Sequence, residues 1–111
     1  MAIEYILLDY LLKNMKVSCY MEEPADPEAQ YVIIEKTGSS KENYINSATF
    51  AIQSYGATMQ QAIDLNESVK EVMDSFWKHA AVYSCRLNSD YNFTDTETQR
   101  YRYQAVYNIT Y

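Results

Sequence analysis

The segment Tyr101–Tyr111 alternates regularly between apolar and polar side chains, and this alternation constrains the fold more than any other feature. One set of positions carries Tyr101, Tyr103, Ala105, Tyr107, Ile109 and Tyr111, whereas the other carries Arg102, Gln104, Asn108 and Thr110 with Val106 as its apolar exception. Successive side chains of a strand point to opposite faces of a sheet. The segment therefore predicts a strand in a sheet that has one aromatic face and one mostly polar face.

Two segments with helical periodicity are expected to cover the apolar face of that sheet. The first runs from about residue 2 to residue 14, and its apolar stripe is Ile3, Ile6, Leu7, Tyr10 and Leu11. The second starts at Thr58, which has the spacing of a capping box with Gln61. Its stripe comprises Met59, Ala62, Ile63, Asn66, Val69, Val72, Met73 and Phe76, and it ends near Trp77. Both stripes predict helices that pack on the sheet through one side.

Four further strands are predicted from β-prone runs. Val17–Met21 follows the first helix, and Val82–Asn88 follows the second. Tyr31–Lys36 and the longer run Asn43–Tyr55 predict an antiparallel hairpin, because the polar segment Thr37–Ser40 separates them. In the longer run Tyr44, Ala48, Phe50 and Ile52 fall on one face, and Ser47, Thr49 and Gln53 fall on the other. The stretch Glu22–Pro27 after the first of these strands is predicted to be an exposed loop. The loop acids Glu22, Glu23, Asp26 and Glu28 are expected to be solvated charges, with a weak cation contact as the alternative.

The order of these elements, α-β-β-β-α-β-β, is typical of an α+β fold. We expect an antiparallel sheet of about four to five strands with two helices packed on one face. The chain has 111 residues, which is enough for one hydrophobic core and too few for two. Residues 1–111 are therefore predicted to form a single domain.

The composition removes several function classes. The formal net charge is −6, and a protein that binds nucleic acid through phosphates needs clustered cations, so no specific nucleic-acid partner is expected. Only 2 glycines are present, and neither phosphate-binding glycine motif occurs. One histidine, His79, and two distant cysteines, Cys19 and Cys85, supply too few typical zinc ligands. No enzymatic activity and no cofactor are predicted.

The location of the chain is predicted from its apolar runs. None of them approaches the roughly 18 residues that a membrane span needs, so no membrane partner is expected. The first residues have acids inside their apolar stretch and no small-residue cleavage site after it, which does not resemble a secretory leader. A cytosolic protein is expected, in which Cys19 and Cys85 remain thiols and His79 lies at a helix end. A disulfide between the two cysteines is the alternative, and it would require their Cα atoms to lie close together.

Tyrosine is the unusual component of the composition, with 12 copies. Its ring suits sheets and protein interfaces, because the hydroxyl group needs a polar partner or water. Arg100 and Arg102 interleave with Tyr101 and Tyr103, a pattern that is also found in base-stacking platforms. In an acidic chain the pattern favours cross-strand packing or a subunit interface instead.

The whole pattern resembles the tail terminators of long-tailed bacteriophages and of prophages of Gram-positive bacteria, which are also called tail-completion or head-tail joining proteins. The likeness covers nearly the full chain, from the leading helix through the hairpin to the helix Thr58–Trp77. Its most suggestive part is the ending, where Leu87–Asp95 is followed by Tyr101–Tyr107. These residues form a pattern of residue types and not a catalytic signature.

The resemblance implies a structural virion protein. Such a subunit would be a monomer or a loose associate in solution and would form a homo-oligomer, a hexameric ring, on the tail. The ring would cap the tail tube protein, end the growth of the tube and meet the head connector protein. Its location would be the head-proximal end of the virion tail, after assembly in the host cytoplasm.

Two segments are the predicted subunit or tail-tube interfaces. The first is the hairpin region around Thr37–Tyr44, with Thr37, Ser40 and Tyr44 as candidate contacts. The second is the connection Asp90–Gln99, with Tyr91 and Phe93 as anchors and Arg100 and Arg102 beside them. Both segments are long and polar, so we expect them to be mobile in the isolated subunit and to become ordered on assembly, unless they pack back onto the sheet.

Two other functions remain open. A head-completion or head-tail connector protein would share the α+β architecture and would be found on isolated heads instead of isolated tails. A small ligand-binding or hydrolytic α+β domain would need a concave pocket with convergent polar groups, which no sequence feature marks.

Overall fold

The computed structural model describes residues 2–98 and 100–111 and contains two α-helices and a five-stranded sheet. The elements in chain order are α1 (Ile3–Asn14), β1 (Ser18–Tyr20), β2 (Tyr31–Glu42), β3 (Ile45–Gly56), α2 (Met59–Met73), a short 3₁₀ helix (Phe76–Lys78), β4 (Ser84–Asn92) and β5 (Tyr101–Thr110). The sheet order is β1-β2-β3-β5-β4, and the β1–β2 pair is parallel. The α+β prediction is confirmed, with a sheet that is mostly antiparallel.

The main core lies between the helices and one face of the sheet. The alternation in β5 is confirmed here, because Ala105, Tyr107 and Ile109 are buried on this face. The helices contribute Leu7, Leu11, Val69 and Met73, and the central strands contribute Val32, Ile34, Phe50 and Ile52. Burial of each such side chain stabilises the fold by roughly 1.5–3 kcal/mol before entropy is counted. Both helices are thereby fixed on the same side of the sheet.

The start of α2 follows the predicted capping pattern with one difference. The Thr58 hydroxyl accepts a hydrogen bond from the backbone N–H of Gln61 at 3.1 Å. The Gln61 side chain, however, accepts from the backbone N–H of Ala57 at 2.9 Å, one residue before the expected donor. A Cβ at Gly56 would lie 2.6 Å from the Ala62 nitrogen, so a glycine is needed where β3 meets the helix. Ile63, predicted in the apolar stripe, is 38% exposed, and Leu65 is buried in its place.

The hairpin between β2 and β3 is longer than predicted. The predicted connecting segment, Thr37–Ser40, instead continues β2. The pairing of β2 with β3 runs through this segment and ends at Glu42↔Ile45. A register shift between Lys36 and Gly38 absorbs one residue, and this local bulge accommodates the polar segment without ending the strand. The turn lies at Asn43–Tyr44, so Tyr44 belongs to the turn and not to a face of β3.

The connection predicted at Asp90–Gln99 is also more regular than expected. β4 extends to Asn92, and Asp95 forms a bridge with Arg100. The Asp95 carboxylate accepts hydrogen bonds from the backbone N–H groups of Glu97 and Thr98, at 3.0 and 3.5 Å. A short Asx-type turn therefore replaces most of the predicted loop. Gln99 lies outside the described residues.

The two cysteines and the histidine lie where the sequence predicted. Cys19 and Cys85 are free and sit on β1 and β4, the opposite edges of the sheet. Four inter-strand spacings separate these strands by about 19 Å, which excludes a disulfide. Burial raises the pKa of Cys19 to about 11 and that of Cys85 to about 12, so both thiols are protonated at neutral pH. His79 is exposed at the end of the 3₁₀ helix.

Candidate functional site

The face of the sheet that points away from the helices carries a second cluster, which we call the open-face cluster. It consists of Tyr31, Gln53, Tyr55, Tyr91, Phe93, Arg100, Arg102 and Gln104, and β2, β3, β4, β5 and the β4–β5 turn supply them. The sequence predicted a mostly polar face here. Four of the eight members are aromatic, so the face is less polar than predicted, and Tyr31, Gln53, Tyr55 and Gln104 are buried.

Two stacked tyrosines form the centre of the open-face cluster. The rings of Tyr31 and Tyr55 lie 4.5 Å apart and almost parallel, and these residues are only 2% and 5% exposed. The guanidinium of Arg100 lies 5.2 Å from the Tyr55 ring, and that of Arg102 lies 5.7 Å from it. Arg102 also donates a hydrogen bond to the Tyr55 hydroxyl at 2.9 Å. The two arginine side chains thus cover the stacked rings and shield them from water on the face that no helix covers.

A chain of hydrogen bonds crosses the open face from β3 to β4. The Tyr55 hydroxyl donates to the side-chain oxygen Oε1 of Gln53 at 3.2 Å. The side-chain nitrogen Nε2 of Gln53 donates to Oε1 of Gln104 at 3.0 Å. The Gln104 amide then donates to the Tyr91 hydroxyl at 2.6 Å. Both glutamines are 8% exposed, so each bond replaces a lost contact with water. These side-chain bonds add to the backbone pairing that sets the register of β3, β5 and β4.

Tyr91 and Phe93 form the exposed end of this cluster. Their rings meet edge to face at 6.0 Å, and each residue is 41% exposed. Arg102 lies 4.5 Å from the Phe93 ring and donates to the Phe93 carbonyl oxygen at 2.6 Å. The two aromatic side chains thus contact Arg102 and Gln104 on one side and are exposed to solvent on the other.

The acidic β1–β2 loop contributes counter-charges to the open-face cluster. Glu23 accepts a hydrogen bond from the Tyr31 hydroxyl at 2.8 Å and pairs with Arg100. Glu28 accepts from the Tyr20 hydroxyl and from Ser18 at about 3.0 Å. Hydrogen bonds from its own backbone N–H, Tyr20 and Ser18 hold the pKa of Glu28 below its ordinary value. Two acids of the loop are therefore bonded, although the sequence predicted only solvated charge.

A separate polar contact joins α2 to the edge strand β4. Lys70 lies 3.0 Å from Asp90, and the buried Asn66 amide donates to the same carboxylate oxygen at 2.9 Å. The hydrogen bond from Lys70, supported by that from Asn66, lowers the pKa of Asp90. This contact ties the edge strand β4 to the helix layer.

The second candidate surface is the hairpin arm, which we define as residues 37–47. Every β2 residue from Glu35 to Glu42 is exposed. β1 pairs only with Tyr31–Ile33, so within the described chain the outer edge of β2 is unpaired along the arm. Thr37 donates to the Thr49 carbonyl oxygen at 3.3 Å, and Ser40 lies opposite Ser47. The β2 half of the arm is therefore paired with β3 on one side and open on the other, whereas Asn46 and Ser47 of the β3 half pair with both neighbouring strands.

The tip of the arm is defined here as residues 41–45 and combines exposure with backbone strain. Asn43 and Tyr44 have φ values of 51° and 65°, the left-handed region that suits Asn and Gly but penalises tyrosine by roughly 1 kcal/mol. Tyr44 is nevertheless 92% exposed and Ile45 is 50% exposed. The Lys41 ammonium lies 6.0 Å from the Tyr44 ring. A strained, exposed aromatic side chain at a turn is typical of a binding residue.

The seven residues predicted as interface contacts fall into two groups. Tyr91, Phe93, Arg100 and Arg102 come together in the open-face cluster, whereas Thr37, Ser40 and Tyr44 lie on the arm. The tip and the open-face cluster lie at opposite ends of the sheet, because β3 runs from the tip to Tyr55 over about 33 Å, whereas Thr37 lies near the middle, beside Phe50 and Thr49. Four members of the open-face cluster were not predicted as site residues: Tyr31, Gln53, Tyr55 and Gln104. The two-residue alternation of the strands places Gln53 and Gln104 on polar faces, but it does not tell which strands lie side by side.

No protein-family model matches this sequence, and a search of curated proteins finds no match either. None of the helices in the described part of the chain has the length and apolar character to cross a bilayer. Across residues 2–98 and 100–111, no three acidic, cysteine or histidine side chains are grouped as metal ligands.

Proposed function

We propose that this protein is a structural subunit of the tail-terminator class, which caps a phage tail tube as a homo-oligomeric ring and joins the tail to the head. The observation that carries the proposal is the pair of chemically different exposed surfaces at opposite ends of one sheet. The arm presents Tyr44 and Ile45 at one end, and the β4 edge presents Tyr91 and Phe93 at the other.

A ring requires such a pair of surfaces. A closed ring built from heterologous contacts needs two different patches on each subunit, whereas a two-fold dimer needs only one. Tyrosine and arginine are enriched in protein interfaces, and both are present at the β4 end. The free edges of β2 and β4 offer backbone donors and acceptors for neighbouring subunits or rings.

The net charge of −6 also suits a ring through which DNA passes. Like charge on the lining of a channel repels the phosphate backbone and prevents the DNA from sticking. The sequence pattern that resembles tail terminators provides the remaining support, since it covers the helices, the hairpin and the aromatic ending.

The test is to add the purified protein to isolated tail tubes that lack their cap and to image the tubes by electron microscopy. We expect binding at one tube end only, and an end to growth when free tube subunits are supplied. Isolated heads without tails serve as the comparison. Binding to heads and not to tubes would favour a head-tail connector, and binding to neither would exclude both roles.

A further inference from the structure

A groove between α2 and the connection from α1 to β1 is a concave surface that the fold does not explain. Its apolar floor consists of Met15, Val17, Leu65 and Val72, and its volume is about 540 Å³. Asp64 and Glu71 from α2 and Lys16 from the α1–β1 connection line its rim. A groove of this size accommodates one or two large side chains.

The groove and the tip of the arm have complementary chemistry. The tip presents an aromatic and an aliphatic side chain, Tyr44 and Ile45, which match the apolar floor. The two charges beside them, Lys41 and Glu42, have opposite signs. Lys41 would face the carboxylates of the rim and Glu42 would face Lys16, so both signs find a partner.

The tip cannot occupy the groove of its own chain. Gln30, which lines the groove, directly precedes β2, whereas the tip follows the other end of that strand. The 12 residues of β2 span about 36 Å in extended form. A contact between tip and groove therefore joins two molecules.

We infer that the tip of the arm docks into the helix groove of a second copy of this chain, with Tyr44 as the buried anchor. The contact is heterologous, because each copy contributes its tip to one neighbour and its groove to the other. The inference deepens the proposed function and rests on it for the ring itself. It makes the groove, in place of the β4 end, the surface that receives the tip, and it leaves Tyr91 and Phe93 for contact with the tail tube or the head connector. The strain at Tyr44 is explained, because a glycine would fit the turn better but would supply no anchor.

The test uses two variants that each disable one half of the contact. Tyr44→Gly removes the anchor and gives the turn the Asn-Gly sequence that it favours, so folding is not at risk. Ser68→Trp places a bulky side chain on the exposed rim of the groove. In sedimentation velocity, we expect the wild-type protein to associate as its concentration rises. For each variant alone, we expect the association constant to fall by about tenfold or more.

Mixing the two variants gives the decisive result. The intact groove of Tyr44→Gly can accept the intact tip of Ser68→Trp, so an equimolar mixture should form dimers that grow no further. Tyr44→Phe keeps the ring and should associate like wild type, and Gln60→Trp, elsewhere on α2, should do the same. Circular dichroism and thermal unfolding establish that each variant is folded.

Charge reversal provides an independent check. Lys41→Glu and Glu71→Lys should each weaken association, and the chain that carries both changes should recover it. Variants that associate like wild type would overturn the inference, and so would a wild-type protein that stays monomeric at millimolar concentration. If tube ends are still capped in either case, the proposed function stands and the ring uses other surfaces.

Discussion

Tyrosines of the same sheet occupy opposite physical situations in the open-face cluster and at the tip of the arm. Tyr31 and Tyr55 are stacked, buried and hydrogen-bonded to Glu23, Gln53 and Arg102. Tyr44 is almost fully exposed and sits in a backbone conformation that tyrosine disfavours. A residue in the first situation contributes to folding, whereas one in the second situation costs stability and needs another reason to be there.

The aromatic residues of the open-face cluster and of the tip also differ in which side chains surround them. In the cluster, arginine and glutamine side chains complete the environment of the rings within one subunit. At the tip, the neighbouring side chain in reach of the ring is Lys41, at 6.0 Å. Tyr91 and Phe93 are intermediate, since they contact Arg102 and Gln104 yet remain 41% exposed. Four predictions test how far this contrast holds.

The largest expected effect is on stability, for Tyr31→Ala. The change removes a stacked ring that is 2% exposed and leaves Glu23 without one of its donors, so we expect a loss of about 3 kcal/mol in the free energy of unfolding. Urea denaturation measures it. Tyr83→Ala, at a residue that is 83% exposed, is the control and should change stability by less than about 0.5 kcal/mol. Equal effects at both positions would contradict the contrast between buried and exposed tyrosines.

The hydrogen-bond chain predicts the next effect. Gln104→Leu leaves the Gln53 amide and the Tyr91 hydroxyl without their partner, and this should cost about 2 kcal/mol. Adding Gln53→Leu removes one of the orphaned groups, so the double variant should lose less than the sum of the two single variants. Additive losses in the same urea measurement would show that the two glutamines act independently.

The Asp90 contact predicts a dependence on pH. Its pKa in the folded state is lowered, so the contact stabilises the protein above the pKa of the unfolded chain and its contribution is lost as the pH falls through the folded value. Asp90→Asn should therefore lower the melting temperature at pH 7 and leave it unchanged near pH 2. Lys70→Met should do the same, and the double variant should add little to either. A difference that persists in acid would mean that the contact acts through packing and not through charge.

The smallest expected effect has the opposite sign. Tyr44→Gly relieves the left-handed strain of the turn and should raise the free energy of unfolding by about 0.5 kcal/mol. Tyr44→Ala also removes the ring but keeps a Cβ at the strained position, so it should bring no such gain. Chemical denaturation of both variants side by side distinguishes them. A destabilised glycine variant would indicate that the Tyr44 side chain supports the fold.

The periodicity of the sequence predicted most of the elements, because each helix and strand has its own repeat. It failed at the ends of the hairpin, since the bulge at Thr37 and the turn at Asn43–Tyr44 depend on pairing with β3. Thr37–Ser40 has the composition of a turn, yet strand pairing overrides that local preference. The predicted loop at Asp90–Gln99 was shortened for the same reason, as β5 extends its pairing to Asn92.

Only some members of the open-face cluster could be predicted from the sequence. The alternation in β5 placed Arg102 and Gln104 on one face, but nothing in a single sequence gives the register that sets Gln104 beside Gln53. The parallel pairing of β1 with β2 was not predicted either, because it depends on the path of the loop that connects the two strands. Long-range register decides which polar residues satisfy one another, and it is a property of the assembled sheet.

The proposal that this protein caps a tail tube as a ring has a direct test. The most direct measurement is the mass and shape of the complex that purified protein forms on uncapped tail tubes, by electron microscopy of tube ends beside light scattering of the free protein. We expect one ring at one end of each tube, with a six-fold outline and no further growth of the tube. Tubes that stay bare and keep growing in the presence of folded protein would contradict it.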